Sequence, residues 1–296
     1  MASTAVPALP CDPLRERWIL LTGAGGGIGQ AIARQLAQAG ARLILVGRSP
    51  QKLAQTIASL SGGAERHRLL PADISTGTGQ AQIQNVLRQL GRPLDVLINC
   101  AGVSDFGLFA QISPEQLAQL VAVNLTAPMQ LCRLALDHLH PGRGRIINVG
   151  STFGGIGHPG FVGYCASKFG LRGFTQALRR ELSDGQLQVA YLAPRATRTA
   201  LNTASVDALN EALGNRSDAP ERVAAVVESM LRSPRMRDQA IGWPERLFLR
   251  VNAVLPSLVD GALRKQLGVI RAHASGTSPA AAVTAVPSTQ VREKQA

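Results

Sequence analysis

Short aliphatic runs alternate along the chain with longer stretches whose apolar residues recur every three or four positions. The runs at 17–23 (RWILLTG), 41–47, 67–75, 94–102, 144–151 and 187–194 read as strands, with a last short one in 239–243. Between them, 28–40, 49–60, 79–91, 161–182, 199–213 and 219–232 carry helical periodicity. A long helical stretch at 113–139 is expected to break near Pro128. Ser49 before Pro50, and Gly40 after an apolar stripe, supply start and stop signals. The strands are continuously apolar, as strands buried on both faces must be. The alternation therefore predicts an α/β fold, a doubly wound parallel sheet with helices on both faces. It spans 15–245 as one domain, after an N-terminal arm at 1–14. A helical extension at 246–272 follows, then an Ala/Ser/Thr/Pro-rich tail at 273–296 without periodicity, expected to be disordered.

Composition narrows the partners. Apolar residues make up 45% of the 296 residues and aromatics only 4%, so aliphatic side chains must fill the core. Four cysteines form no C-x-x-C pair, which points to a reducing compartment and to no metal site. The N-terminus lacks the pattern of a secretory signal, and no apolar run approaches the ~18 residues that span a bilayer. A cytoplasmic location is expected. The net charge of +12 comes mainly from arginines spread along the chain without a basic run or a recognition motif. It is read as suiting an anionic cofactor, an acidic partner or a membrane surface, with no nucleic acid.

The segment TGAGGGIGQ (22–30) joins the first strand to the first helix. Glycines there let the backbone approach a pyrophosphate, and the helix N-terminus offers free N–H groups. Thr22, Gly23, Gly27, Ile28 and Gly29 are the candidate contacts. An NAD site normally has a carboxylate at the end of its second strand, for the ribose 2′-hydroxyl. Here that strand ends Gly47, Arg48, Ser49, and Arg48 can pair with a 2′-phosphate. The expected cofactor is NADP(H), preferred over NAD(H).

The chain has two tyrosines and four lysines, and GYCASKFG (163–170) places Tyr164 and Lys168 four apart. On a helix they share a face, where a cation favours the tyrosinate and lowers a phenol pKa that is ordinarily about 10. Such a pair can exchange a proton at a carbonyl or alcohol oxygen during hydride transfer. Ser151, at the end of the fifth strand, lies where open α/β sheets bind ligands and can hold that oxygen.

These motifs, in this order, resemble the short-chain dehydrogenase/reductase family of the single-domain, Rossmann-type kind, over roughly 15–245. Thr22–Gly29 resembles its TGxxxGxG. NCAG (99–102) resembles its NNAG, with Cys100 for the second Asn. Asn124, Ser151, Tyr164 and Lys168 match its catalytic tetrad. The resemblance implies that Asn124 holds a water relaying protons to Lys168, which also grips the ribose. It further implies cofactor contacts from Ser49, Asp73, Ile74, Asn99, Ala101, Gly102, Tyr164, Lys168, Pro194, Thr197 and Thr199. The expected partner is a small-molecule carbonyl or alcohol, with a lipid-like or acyl substrate in view, and the assembly a homodimer or homotetramer. The rival reading is an NADP-binding regulatory or membrane-peripheral protein that keeps the fold.

Two features depart from the family pattern. APRATRT (193–199) has Arg195 where a glycine is usual, either to meet an anionic substrate group or to close the loop. The stretch 243–273 repeats apolar residues at 247, 251, 254, 258 and 262 among Arg246, Arg250, Arg264, Lys265 and Arg271, and Pro256 is expected to divide it into two helices. It can pack on the body, cover an acyl tunnel, form a dimer contact, or give peripheral membrane contact through 246–272.

Overall fold

The computed structural model describes residues 13–275. Its seven strands are β1 (Trp18–Thr22), β2 (Arg42–Gly47), β3 (Arg68–Pro71), β4 (Val96–Asn99), β5 (Arg145–Val149), β6 (Gln188–Ala193) and β7 (Gln239–Ala240). They form one sheet in the order β3-β2-β1-β4-β5-β6-β7, parallel throughout. The chain winds outward one way from β1 to β3, then returns to place β4 on the other side of β1. Every strand therefore delivers its carboxyl end to one edge, and the loops after β1 and β4 part there.

The helices are α1 (Gly27–Gln38), α2 (Pro50–Ala58), α3 (Gly63–Arg66), α4 (Gly77–Arg88), α5 (Pro114–Val121), α6 (Ala127–Leu136), α7 (Val162–Glu181), α8 (Ala204–Ala212), α9 (Pro220–Arg232), α10 (Glu245–Val254) and α11 (Pro256–Ala274). Only α3, a single turn, has no counterpart in the sequence pattern. Side chains fix several starts. Ser49 accepts from the Lys52 N–H at α2, Thr76 from Gly79 at α4, and Ser113 forms a reciprocal box with Gln116 at α5. One core cluster packs α1, α2 and α9 on one face of the sheet (Ile32, Leu36, Leu53, Val227). The other packs α4, α6 and α7 on the opposite face (Ile83, Leu131, Leu178).

Two expectations shift, and two lie wholly or partly outside the described residues. The interruption foreseen near Pro128 is a π-helical turn at Ala122–Thr126, with Pro128 in the first turn of α6. Proline has no N–H for its i−4 carbonyl, that of Asn124, so the regular ladder fails before the proline rather than at it. Pro256 divides the extension as anticipated, but α11 runs on to Ala274, and residues 276–296 of the expected tail lie outside the described residues. The arm at 1–14 likewise lies outside them except for Pro13 and Leu14.

Arg195 is loop closure, not substrate recognition. Its guanidinium meets Asp218 through two bonds of 3.0 and 2.7 Å and Glu245 at 3.2 Å, with only 10% of the side chain exposed. It ties the segment after β6 to the start of α9 and to α10. Gly242, at φ +108°, makes room for it, since a methyl there would stand 2.7 Å from Arg195 Cδ. With both partners already carboxylates, Arg195 has no face left for an anionic ligand. Arg195→Ala leaves Asp218 inside with Arg222 alone. It should cost about 2–3 kcal/mol in denaturant unfolding. A midpoint unchanged from wild type would show that the pair closes nothing.

Candidate active site

At the parting of β1 and β4 lies a cavity of about 410 Å³. Its floor is the glycine loop. Gly23 adopts φ +70°, and a methyl on it would stand 2.7 Å from Ala101 Cα. A side chain on Gly29 would collide with the Gly23 carbonyl, and one on Gly27 with Thr199 at 2.9 Å. No side chain caps the first turn of α1. The loop thus presents bare backbone and helix-end N–H groups, which fits a pyrophosphate. Arg48 and Lys52 line the end of the cavity beside β2, which itself brings no carboxylate there, while the Asp73 carboxylate, after β3, feels the Arg48 charge. Asp73 lines it as well, its carboxylate held low by hydrogen bonds from the Ser75 hydroxyl and N–H.

Of the residues expected at a cofactor, Gly23, Gly27, Ile28, Gly29, Arg48, Ser49, Asp73, Ile74, Ala101, Gly102, Tyr164, Lys168 and Thr199 line this cavity together. Thr22, Asn99, Pro194 and Thr197 do not. Thr22 is fully buried, and its hydroxyl accepts the N–H groups of Cys100 and Ala101 at 3.0 and 3.1 Å. Asn99 faces the interior and donates to Asn148 Oδ1 at 2.8 Å. The Pro194 carbonyl accepts from Thr152, and the Thr197 hydroxyl donates to the Arg195 carbonyl. These four shape the walls from behind. Lys52 was not anticipated. Its signal was weak, a lone lysine one turn beyond Arg48 on a surface helix.

The candidate proton-transfer group forms where α7 crosses the end of β5. Lys168 is 4% exposed, with Nζ 3.4 Å from the Val149 carbonyl and 5.6 Å from the centre of the Tyr164 ring. Burial brings its pKa down to about 8. Tyr164 is pushed up to about 12, chiefly by burial, while a hydrogen bond with the Ser151 side chain acts in the opposite sense. The lysine was expected to lower the phenol, but it is not among the groups that act on it; burial dominates, with Cys165 and Asp105 adding to it, so Tyr164 keeps its proton at neutral pH and can act as a proton donor. Asn124 is fully buried on the π-turn. It accepts from the Val103 N–H at 2.9 Å and donates to the Val103 carbonyl and to Ser167 at 2.8 and 3.1 Å. Its side chain is thus spent on the loop after β4 and on Ser167.

Beside Tyr164 a buried apolar cluster gathers Phe153, Phe161, Cys165, Leu209 and Val206 of α8, and Ile270 of α11. The final helix therefore pins α8 against the loop that leads into α7.

The family model described as short chain dehydrogenase matches residues 17–210. A 3-oxoacyl-[acyl-carrier-protein] reductase of Pseudomonas aeruginosa is 34% identical over 204 residues, 68% of this chain and 81% of that protein. Among solved structures, a short chain dehydrogenase from Burkholderia cenocepacia in complex with NADP has a TM-score of 0.70 at 27% identity, covering 79% of this chain and 99% of the other. A 3-ketoacyl-(acyl-carrier-protein) reductase from Brucella melitensis complexed with NADH has a TM-score of 0.69 at 25% identity, covering 78% and 99%.

The lowered lysine pKa gives a sign. Lys168 is charged below about pH 8 and neutral above it. NADPH affinity, followed by fluorescence titration, should be full below that value and fall about tenfold as pH rises from 7 to 10, the loss of one charge-assisted bond. Lys168→Met should bind weakly at every pH. Wild-type affinity flat to pH 10 would mean that Lys168 keeps its proton or does not touch the cofactor.

Proposed function

The chain belongs to the short-chain dehydrogenase family, and on that premise we propose that it is an NADPH-dependent reductase of a carbonyl borne on an acyl or lipid-like chain. Membership makes it an NAD(P)-dependent oxidoreductase acting between CH–OH and carbonyl groups. The observation that carries the finer reading is the pair of cations Arg48 and Lys52 just after β2, where the chain reads Gly47, Arg48, Ser49 without the carboxylate that would meet a 2′-hydroxyl; the Asp73 carboxylate in the same lining follows β3 and is held by Ser75. Two cations there favour a 2′-phosphate over a 2′-hydroxyl. Relatives bind either cofactor, so the preference rests on these two side chains.

A bound nicotinamide supplies the hydride. The chain's own groups do the rest. The Ser151 hydroxyl holds the carbonyl oxygen, and Tyr164 gives its proton to that oxygen as negative charge develops. Burial keeps the phenol protonated at neutral pH, as a proton donor must be. An acyl or lipid-like substrate rests on the 3-oxoacyl carrier reductases among the relatives.

We read the working assembly as a homodimer or homotetramer. Val121, Met129, Val162 and Phe169, exposed on α5, α6 and α7, offer a face for a second copy. A cytoplasmic setting is supported by the free state of the three described cysteines.

The reading extends to peripheral membrane contact, now confined to a definite place. α10 is anchored by Leu249, packed at Gly155, and by Asn252, which donates to the Gly155 carbonyl at 2.9 Å. The opposite side and the elbow before α11 leave Trp243, Leu247, Phe248, Val254, Leu255 and Leu258 exposed, Val254 at 76%. Arg246, Arg250, Arg264 and Lys265 are interleaved, exposed and in no ion pair among the described residues. A second copy laid on this patch would oppose its own cations, whereas an anionic lipid surface would satisfy them. No described helix is long and apolar enough to cross a membrane, so the elbow would lie in the interface.

Two measurements test these readings. With a 3-oxoacyl thioester, wild type should prefer NADPH. Arg48→Ala should cut kcat/KM with NADPH about tenfold or more while leaving NADH nearly unchanged, and Tyr164→Phe should silence both. Preference for NADH in wild type would sink the cofactor assignment. In sedimentation with phosphatidylglycerol vesicles, wild type should pellet and the double variant Leu255→Glu, Leu258→Glu should not, with neither bound to phosphatidylcholine. Equal partition of both proteins would remove the membrane contact.

A further inference from the structure

The second of the two tyrosines, Tyr191, has no part in the chemistry above. It lies within β6, in the run QVAYLA, and is 3% exposed. A phenol hydroxyl inside an apolar strand must find partners, because burying it unpaired is costly. Its partners are the backbone of two catalytic residues. Tyr191 Oη accepts the Ser151 N–H at 3.1 Å, and lies 3.1 Å from the Ser151 carbonyl and 3.3 Å from the Lys168 carbonyl, to one of which it donates. Burial pushes its ionisation well above the ordinary phenol range, so the hydroxyl keeps its proton for that bond.

The chain makes room for this contact at two glycines. A side chain on Gly150 or on Gly154 would fall on the end of the Tyr191 phenol. The ring therefore passes between the last residue before Ser151 and the short 3-10 turn Thr152–Gly154 that follows it. The neighbours of Ser151 are held by β6 in the ordinary way, Gly150 N–H to the Leu192 carbonyl and Thr152 N–H to the Pro194 carbonyl. Ser151 faces away from that ladder. On its other side β4 ends at the Asn99–Asn148 pair, so no strand reaches it. Its N–H takes the tyrosine oxygen instead.

We propose that Tyr191 is a positioning residue: one buried hydroxyl fixes the backbone of Ser151 against that of Lys168, and so sets the place of the serine hydroxyl relative to Tyr164 and its lysine. The inference rests on the catalytic roles given above to Ser151, Tyr164 and Lys168. Tyr191 touches neither substrate nor cofactor and acts only through these residues. Without its hydroxyl the Ser151 N–H loses its one bond, and the link from β5 to α7 at this level is gone.

The test is a double-mutant cycle on NADPH-dependent reduction, with NADPH affinity as the check that the fold is kept. Tyr191→Phe should lower kcat about 10- to 100-fold, the scale on which a displaced catalytic group acts, with KM little changed. In a Ser151→Ala background the same substitution should lower kcat less than about threefold, since the group being positioned is already absent. The pH limb set by Tyr164 in alcohol oxidation should move upward in Tyr191→Phe, because the Ser151 hydrogen bond that favours the ionised phenol is weakened. Equal losses in both backgrounds would mean a merely structural effect and overturn the proposal, as would an unchanged kcat. If Tyr191→Phe fails to bind NADPH, Gly154→Ala, which displaces the hydroxyl without removing it, is put through the same cycle with the same criteria. A Ser151→Ala enzyme as active as wild type would instead strike at the catalytic reading and is distinguishable from failure of the brace.

Discussion

The site exists because of a constraint on the sheet. All seven strands run the same way, so each must leave at the same edge, and β1 and β4, hydrogen-bonded neighbours, must then send the chain in opposite directions. Something has to hold the gap open and keep its walls in register. Thr22 does so with one oxygen, which accepts two N–H groups from the loop after β4. Gly23 then turns with positive φ, close against Ala101, and releases the chain into α1. The crevice, the bare helix end and the approach of NCAG to the cavity all follow from that bridge. On the far side the same problem recurs at β5. There Tyr191 solves it for Ser151, and Asn124 for the loop after β4.

Much of this was legible in the sequence because the signals are local. A glycine loop between a strand and a helix, a tyrosine and a lysine one turn apart, and continuous apolar strands each announce themselves within a dozen residues. What was not legible depends on distance or direction. Asn99 and Ala101 are two residues apart in one motif, yet one faces the core and the other the cavity, a matter of strand pleat at an end where the pleat is lost. Arg195 could be read either as a substrate contact or as loop closure because its two carboxylates, Asp218 and Glu245, are remote in sequence. Tyr191 looked like one more buried strand residue, because its partners lie 40 and 23 positions away. Lys52 had no motif to mark it. The break near Pro128 was foreseen, but its form, a π-turn that carries Asn124 inward, follows from which carbonyl the proline fails to bond.

Burial also changes how the catalytic pair must be understood. Proximity alone suggests that a lysine depresses the phenol beside it. Inside this cavity both groups are driven toward their neutral forms, Lys168 down to about 8 and Tyr164 up to about 12. A lysine that is neutral part of the time is a weak influence on a phenol. A ligand rich in negative charge in the same cavity favours the charged lysine, and the charged lysine then favours the ionised phenol. A lower phenol pKa makes Tyr164 a readier proton donor for the proposed reduction when the anionic ligand is in place. Binding and proton transfer are coupled through one buried amine, and its place relative to Ser151 is set by a hydroxyl that takes no part in either.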